Sequence, residues 1–331
     1  MGMERIIKRE IVRYMNVCFL LMAELDLEVI GQFGSIDLIA KQLVEGFITG
    51  LHQSPFHGFS VEFAEYRPYN TGESTRNLDW KLFGRTDKLF VKQFEEETNL
   101  RCQVLVDVSS SMQFPKQSHY SLQHPNKLWF SVYAAAAIVQ MLRGQRDAVG
   151  LTLFDDRIRF HSRAQSNPVH VKQLFTTLEE LLQPVREMEQ HETNVVQTLH
   201  EIAERIHRRS LVVIFSDMFD FQRNKEELFL ALQHLRHSRH EVILFHVCDR
   251  AMEVDFDLEN RPYRLIDMEN GQELKISAAE VKTLYRERMQ AFQNDLKVHC
   301  GQYRIDLVEA DIREGFHNVL MTYLLKRKRM G

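Results

Sequence analysis

Four short runs of aliphatic and aromatic residues constrain this chain more than anything else in it. They fall at 103–108, 149–154, 211–216 and 242–248, are rich in Val, Ile, Leu and Phe, and are separated by segments with helical spacing. A run that is apolar at successive positions, rather than alternate ones, suits a strand covered on both faces, as in parallel sheets flanked by helices. Strands alternating with helices therefore predict an α/β fold with a doubly wound, mostly parallel sheet. The helix expected over Lys127 to Arg143 is almost entirely apolar, including Ala134 to Ala137, which places it deep against that sheet. Arg157 to Phe160, following an Asp155-Asp156 turn, reads as a short antiparallel edge strand.

Around this core the pattern changes. Residues 1–57 form a helical segment, with Ser35 as a helix cap and apolar residues three and four apart through Ile48, until Pro55 and Gly58 break the spacing. Residues 58–97 turn to strand chemistry: Phe59, Val61 and Phe63 alternate with polar residues, and Leu89 to Phe94 does the same. Residues 98–331 hold the α/β domain, with a β-hairpin insertion near 262–277 marked by Asn270-Gly271. Helices over 279–297 and 312–325 enclose a last strand at 304–308.

The charge balance excludes some functions. A net charge of −4 supplies no basic field for nucleic acid, and no Walker A or GxGxxG motif follows a strand. The four cysteines, Cys18, Cys102, Cys248 and Cys300, include no CxxC pair, so neither a zinc site nor a disulfide framework is expected, and a reducing compartment fits. Val17 to Ala23 is too short to span a bilayer and is closed by Glu24 and Asp26, so a cytoplasmic protein without membrane contact is expected. His234, His237 and His240 bracket a helix end and are expected as helix-end or solvent residues rather than zinc ligands. The basic tail Lys326 to Arg329 complements the dipole of the last helix.

The chemistry gathers where strands end. The first apolar run closes on Asp107, and two hydroxyls follow at two-residue spacing, Ser109 and Ser111. Hard oxygen donors on a loop at a strand end suit a small divalent cation such as Mg2+. A later run, Ile214-Phe215-Ser216-Asp217, again ends in aspartate, and the loop Glu192-Thr193-Asn194 precedes a helix. Singly, these residues read as turn and cap chemistry. Converging at one edge of a doubly wound sheet, they read as a metal site.

Asp-x-Ser-x-Ser, the later Thr-Asn and the strand-terminal Ser-Asp are similar to the metal-ion-dependent adhesion site of von Willebrand factor A domains. A denser resemblance runs from about residue 30 to residue 325 and includes Gly58-Phe59-Ser60, Phe63 to Tyr69, Gly72-Glu73, Arg76 to Lys81 and Val91 to Glu97. It resembles the bacterial "domain of unknown function 58" family, whose members join such a segment to a von Willebrand factor A-like domain. The resemblance implies that Asp107, Ser109, Ser111, Thr193 and Asp217 hold Mg2+, with Mn2+ or Ca2+ as substitutes. The hydroxyls would bind directly and the aspartates directly or through water, leaving one position open for a partner carboxylate. It also implies a MoxR-type AAA+ ATPase as partner, a client protein presenting an acidic residue, and a chaperone-like role in complex maturation.

This chain departs from the family pattern in two places. His191-Glu192 stands where a glycine usually precedes the threonine, and Met218-Phe219-Asp220 replaces a glycine after the last aspartate. Arg67, Arg76, Asp79, Trp80 and Lys81 form a charged and aromatic cluster expected to be structural or to dock a partner. A non-enzymatic adaptor is therefore expected. The alternative is a Mg2+-dependent, phosphoesterase-like hydrolase using the same carboxylates, with Asp155 or Asp156 as base.

Overall fold

The computed structural model describes residues 35–53, 66–68, 84, 90–92, 100–117, 119–183, 195–219, 225–237, 239–266 and 272–330. The chain divides into two compact units, one holding the described residues up to 45 and from 100 to 330, the other those among 46–99. Helix α1, Ile36–Gln53, crosses the division and carries Asp37 in its first turn, where a negative charge favours the helix dipole. In the second unit, β1 (Tyr66–Pro68) pairs antiparallel with β2 (Phe90–Lys92). The remainder of the strand pattern expected over 58–97 lies outside the described residues.

The larger unit is built on one six-stranded sheet. Its strands are β3 (Arg101–Asp107), β4 (Ala148–Phe154), β5 (Ile158–His161), β6 (Leu211–Ser216), β7 (Glu241–Cys248) and, after an intervening hairpin of β8 (Pro262–Ile266) and β9 (Glu273–Ser277), β10 (Asp306–Asp311). The order across the sheet is β10-β7-β6-β3-β4-β5. All neighbours are parallel except β5, which folds back antiparallel on β4 at the edge. The sheet is thus α/β, mostly parallel and doubly wound, as the four apolar runs require.

Helices cover both faces. On one face lies α2 (Lys127–Gly144), capped by Asn126, whose side chain accepts from Trp129 N at 2.7 Å. Fourteen of its residues are buried, from Lys127 to Leu142, and Phe130 stacks on Phe316 at 4.9 Å just before the last helix α7 (His317–Met330). Helix α3 (Pro168–Glu180) begins with proline at its first turn, after an Asn167 cap that accepts from His170 N. The other face carries α4 (Val195–Arg205), α5 (Lys225–His237) and α6 (Ala278–Gln302). Leu199, Leu232 and Leu296 from these three helices share one core with Leu105, Ile214 and Leu244 of the central strands. Fully burying each such side chain stabilises the fold by roughly 1.5–3 kcal/mol.

Two elements start two or more residues later than the sequence expectation. The last strand starts at Asp306 rather than 304, because Arg304 takes a left-handed turn conformation (φ +56) after α6. Helix α7 begins at His317 rather than 312, because Ile312 to Gly315 form a turn in which Gly315 has φ +74. The insertion is the hairpin β8 (Pro262–Ile266) and β9 (Glu273–Ser277), mostly exposed along both strands. Among the described residues no helix is long and apolar enough to cross a membrane; Val17 to Ala23 lies outside them.

Two cations of the basic tail are structural. Lys326 contacts Glu241 at 2.6 Å and Asp306 at 2.7 Å, and Arg327 reaches the buried Asp147 at 2.8 Å. His240 is likewise not a solvent residue: it is buried, and its Nδ1 accepts from Ser210 N at 3.2 Å. His234 faces His200, Nδ1 to Nδ1, at 3.0 Å.

Candidate functional site

In a sheet ordered this way the chain leaves β3 toward β4 on one side and returns through β6 on the other. The carboxyl ends of β3 and β6 therefore lie side by side where the strand order reverses, the place where such sheets bind ligands. β3 ends on Asp107, and β6 ends on Ser216, with Asp217 next. The tight 3-10 turn Ser110–Gln113 then folds Ser111 back over the strand ends.

Asp107 is 3% exposed. Its Oδ1 accepts from Ser109 N at 2.9 Å and its Oδ2 from the Ser216 hydroxyl at 2.6 Å. Ser216 in turn accepts from Met218 N at 3.0 Å. The hydroxyls of Ser109 and Ser111 lie 3.1 Å apart, and Ser111 helps hold the Asp217 carboxyl below its usual range. Four of the five residues read as a metal site, Asp107, Ser109, Ser111 and Asp217, are thereby brought close together. Thr193 lies outside the described residues, as do Arg76, Asp79, Trp80 and Lys81; Arg67 is in β1.

The two carboxylates differ. Burial, reinforced by the neighbouring Asp217, pushes Asp107 up to about 7 against the pull of its hydrogen bonds from Ser216 and Ser109. Burial pushes Asp217 the same way but is overcome by Lys127, which holds it below the usual carboxylate range. Phe219 N also donates to Asp217 Oδ1 at 3.0 Å.

Lys127 was not legible as a site residue. Its side chain is 1% exposed, and its ammonium donates to Asp217 Oδ2 at 2.7 Å and to Glu253 Oε1 at 2.6 Å. Burial would lower its pKa, but these two carboxylates raise it above the ordinary lysine value. Glu253 sits on a short π-helical turn, Arg250–Val254, and accepts from Asp249 N at 2.8 Å. Burial nonetheless keeps Glu253 above its usual range despite the ammonium. His246 beside Asp217 is pushed down to about 4 by burial, so it stays neutral. One sequence signal could have found Lys127. It opens a nearly all-apolar helix, where a cation opposes the helix dipole, and such a charge requires carboxylates nearby.

Met218 has φ +51 and is buried, directly after Asp217. This is the left-handed conformation that favours glycine, and it falls where the sequence departs from a glycine. The twist lets Met218 N reach back to Ser216 while Phe219 N reaches Asp217.

Among the described residues no group of three or more His, Cys, Asp or Glu is arranged to hold a metal ion. The donor set is instead two carboxylates and two hydroxyls, all hard oxygens. Adjacent ligands of an octahedral Mg2+ stand about 3.0 Å apart, given bonds of roughly 2.1 Å. The 3.1 Å between Ser109 and Ser111 matches that edge. The hydrogen-bond donors of Asp107 are neutral, so a cation would relieve the burial that raises it. The residues fit a small divalent ion.

A family model described as protein of unknown function DUF58 matches residues 65–297, more than half the chain. The chain belongs to this family. The DUF58 match takes in the whole donor set, Lys127, Glu253 and the hairpin, and leaves β10 and α7 beyond it. An uncharacterized protein of Mycobacterium bovis and one of Mycobacterium tuberculosis are each 26% identical over 144 residues, which is 44% of this chain and 44% of the relative. This DUF58 chain thus aligns with less than half the length of those relatives. Among solved structures, a conserved hypothetical protein BatB from Bacteroides thetaiotaomicron aligns over 70% of this chain and 100% of its own, with 10% identity and a TM-score of 0.38. An aerotolerance-related membrane protein from Bacteroides fragilis aligns over 65% and 94%, with 12% identity and a TM-score of 0.36.

Proposed function

We propose that this protein is a non-enzymatic interaction module whose von Willebrand factor A-like site holds Mg2+ and grips an acidic residue of a partner. Mn2+ and Ca2+ accept the same oxygen donors. The observation that carries this reading is the placement of Asp107, Ser109, Ser111 and Asp217 at the sheet's switch point, with the two hydroxyls at the spacing of an octahedral edge. When bound, the ion supplies an electrophilic coordination position for an outside carboxylate. The protein's own residues orient the donors: Ser216 fixes Asp107, and Lys127 with Phe219 N fixes Asp217. We place the module in the cytoplasm beside a MoxR-type AAA+ ATPase, acting with it on a client in chaperone-like complex maturation; the family resemblance supplies that partner.

A hydrolase would need a general base beside these donors. Asp155 and Asp156, the acids nominated for it, are both engaged by Arg159, at 2.5 Å and 3.3 Å, which favours the binding reading. Calorimetric titration of the metal-stripped protein with Mg2+ tests the site. One-to-one binding that is lost in Asp107→Ala is expected, followed by Mg2+-dependent association with the ATPase. Mg2+ binding equal in both proteins, or phosphodiester turnover lost in Asp217→Ala, would overturn the reading.

A further inference from the structure

Ser111 belongs to the donor set and also lines an open groove of about 480 Å³. Phe114 and Phe219 form part of its wall, and the hairpin contributes Leu265, Ile266 and Leu274. Phe219 is 45% exposed, Leu265 39%, Ile266 53% and Leu274 61%, so four large apolar side chains stand open to solvent around one mouth. Leu265 lies directly across the hairpin from Leu274. A two-stranded hairpin with so little burial adds little to a core, and a contiguous apolar patch of this kind marks an interaction surface.

The charges in the wall are already engaged. Lys127 is held by Asp217 and Glu253, and Glu273 by Arg264 at 2.6 Å. Among the described residues the lining of the groove therefore offers an incoming carboxylate no cation beyond the engaged Lys127, and the acids around that ammonium oppose a further one. Recognition of an acid here requires the divalent ion, whereas recognition of aliphatic groups does not.

We propose that the groove seats an extended segment of a partner protein in which one Asp or Glu points toward Ser111 and the aliphatic residues on either side pack on Phe219, Ile266 and Leu274. This rests on the metal-site reading and adds the partner's chemistry to it: an acid flanked by aliphatic side chains, with the hairpin as the selecting element. The volume is in the range that takes a ligand of several side chains.

The test is fluorescence anisotropy on the full chain with labelled peptides carrying a central aspartate, flanked either by leucines or by serines, together with the leucine-flanked peptide bearing asparagine. In Mg2+ the leucine-flanked acid is expected to bind at least about tenfold tighter than the serine-flanked one. It should also bind tighter than its asparagine analogue, by a margin that chelation removes. Leu274→Ser and, separately, Ile266→Ser should erase most of the leucine preference while calorimetry shows Mg2+ affinity unchanged. Both positions are largely exposed, so folding is retained. Equal affinity for the leucine and serine peptides, with Mg2+ still bound, would overturn the groove assignment and leave the metal reading standing. Absence of Mg2+ binding would overturn both. Self-association in sedimentation, independent of Mg2+ and lost in the same variants, would overturn it by giving the groove to a second copy.

Discussion

Replacing Lys127 by methionine isolates the electrostatic centre of this site. Methionine keeps most of the side chain's length and volume at a position that is 1% exposed, so the change removes a charge without opening a large cavity. What remains is Asp217 and Glu253, which have lost contacts of 2.7 Å and 2.6 Å. The gross attraction at each distance is about 6 kcal/mol at an effective dielectric of 20, mostly offset by the cost of taking the charges out of water. Removing one partner of a buried pair nonetheless costs about 3–5 kcal/mol, because the carboxylates stay buried and uncompensated. Relief of the unfavourable charge at the start of α2 returns roughly 0.5 kcal/mol. The expected net loss at neutral pH is about 3–4 kcal/mol, equivalent to a fall in Tm of roughly 5–10 °C.

The pH dependence separates this cause from ordinary packing loss. In the wild type, Asp217 is held below its unfolded value, so its contribution is present above that value and fades as pH falls through the folded one. Without Lys127, burial and Asp107 push Asp217 upward, so its penalty is full near neutrality and shrinks as acid protonates it. Denaturant unfolding of both proteins at pH 7 and near pH 4 should show the deficit contracting in acid. A deficit below about 1 kcal/mol, or one unchanged between the two conditions, would refute the reasoning.

Two further outcomes follow from neighbouring geometry. Asp107 is raised to about 7 by burial, so in metal-free protein its ionisation destabilises the fold as pH rises from about 4 to 7. Asp107→Asn should match the wild type in acid and exceed it by about 2–4 kcal/mol at pH 8; parallel stability curves across that range would contradict this. At Gly150 a Cβ would stand 2.6 Å from Ser162 O and 2.9 Å from Ala164 N, both backbone atoms, and against Gln103 Oε1. Gly150→Ala should therefore cost about 1–3 kcal/mol in denaturant unfolding, with Mg2+ affinity kept because the change lies along β4 rather than at its carboxyl end.

The elements read correctly from sequence are those whose burial is nearly uniform. β3, β4, β6 and β7 lie within two residues of their apolar runs because almost every position is covered. β10 was harder: Asp306-Leu307-Val308-Glu309-Ala310-Asp311 is a half-exposed edge, and its pattern gives no sharp start. Within the site, Asp107, Ser109 and Ser111 were legible because they are close in sequence, and Asp217 because it repeats the strand-end position. Lys127 and Glu253 were not, since their contact joins residues 126 apart through a turn that no local pattern encodes. The left-handed Met218 was visible only as a missing glycine.

The pairing of α7 with the sheet bears on where this domain ends. Asp147 precedes β4, Glu241 opens β7 and Asp306 opens β10, so Lys326 and Arg327 neutralise the rim opposite Asp107 and Asp217. The family match stops at residue 297, before either cation. A polypeptide cut at that boundary would keep every candidate ligand and yet lack both the edge strand and the counter-charges of the far rim. The candidate site and the cations that neutralise the far rim are written in different stretches of the chain, and the family boundary encloses only the first.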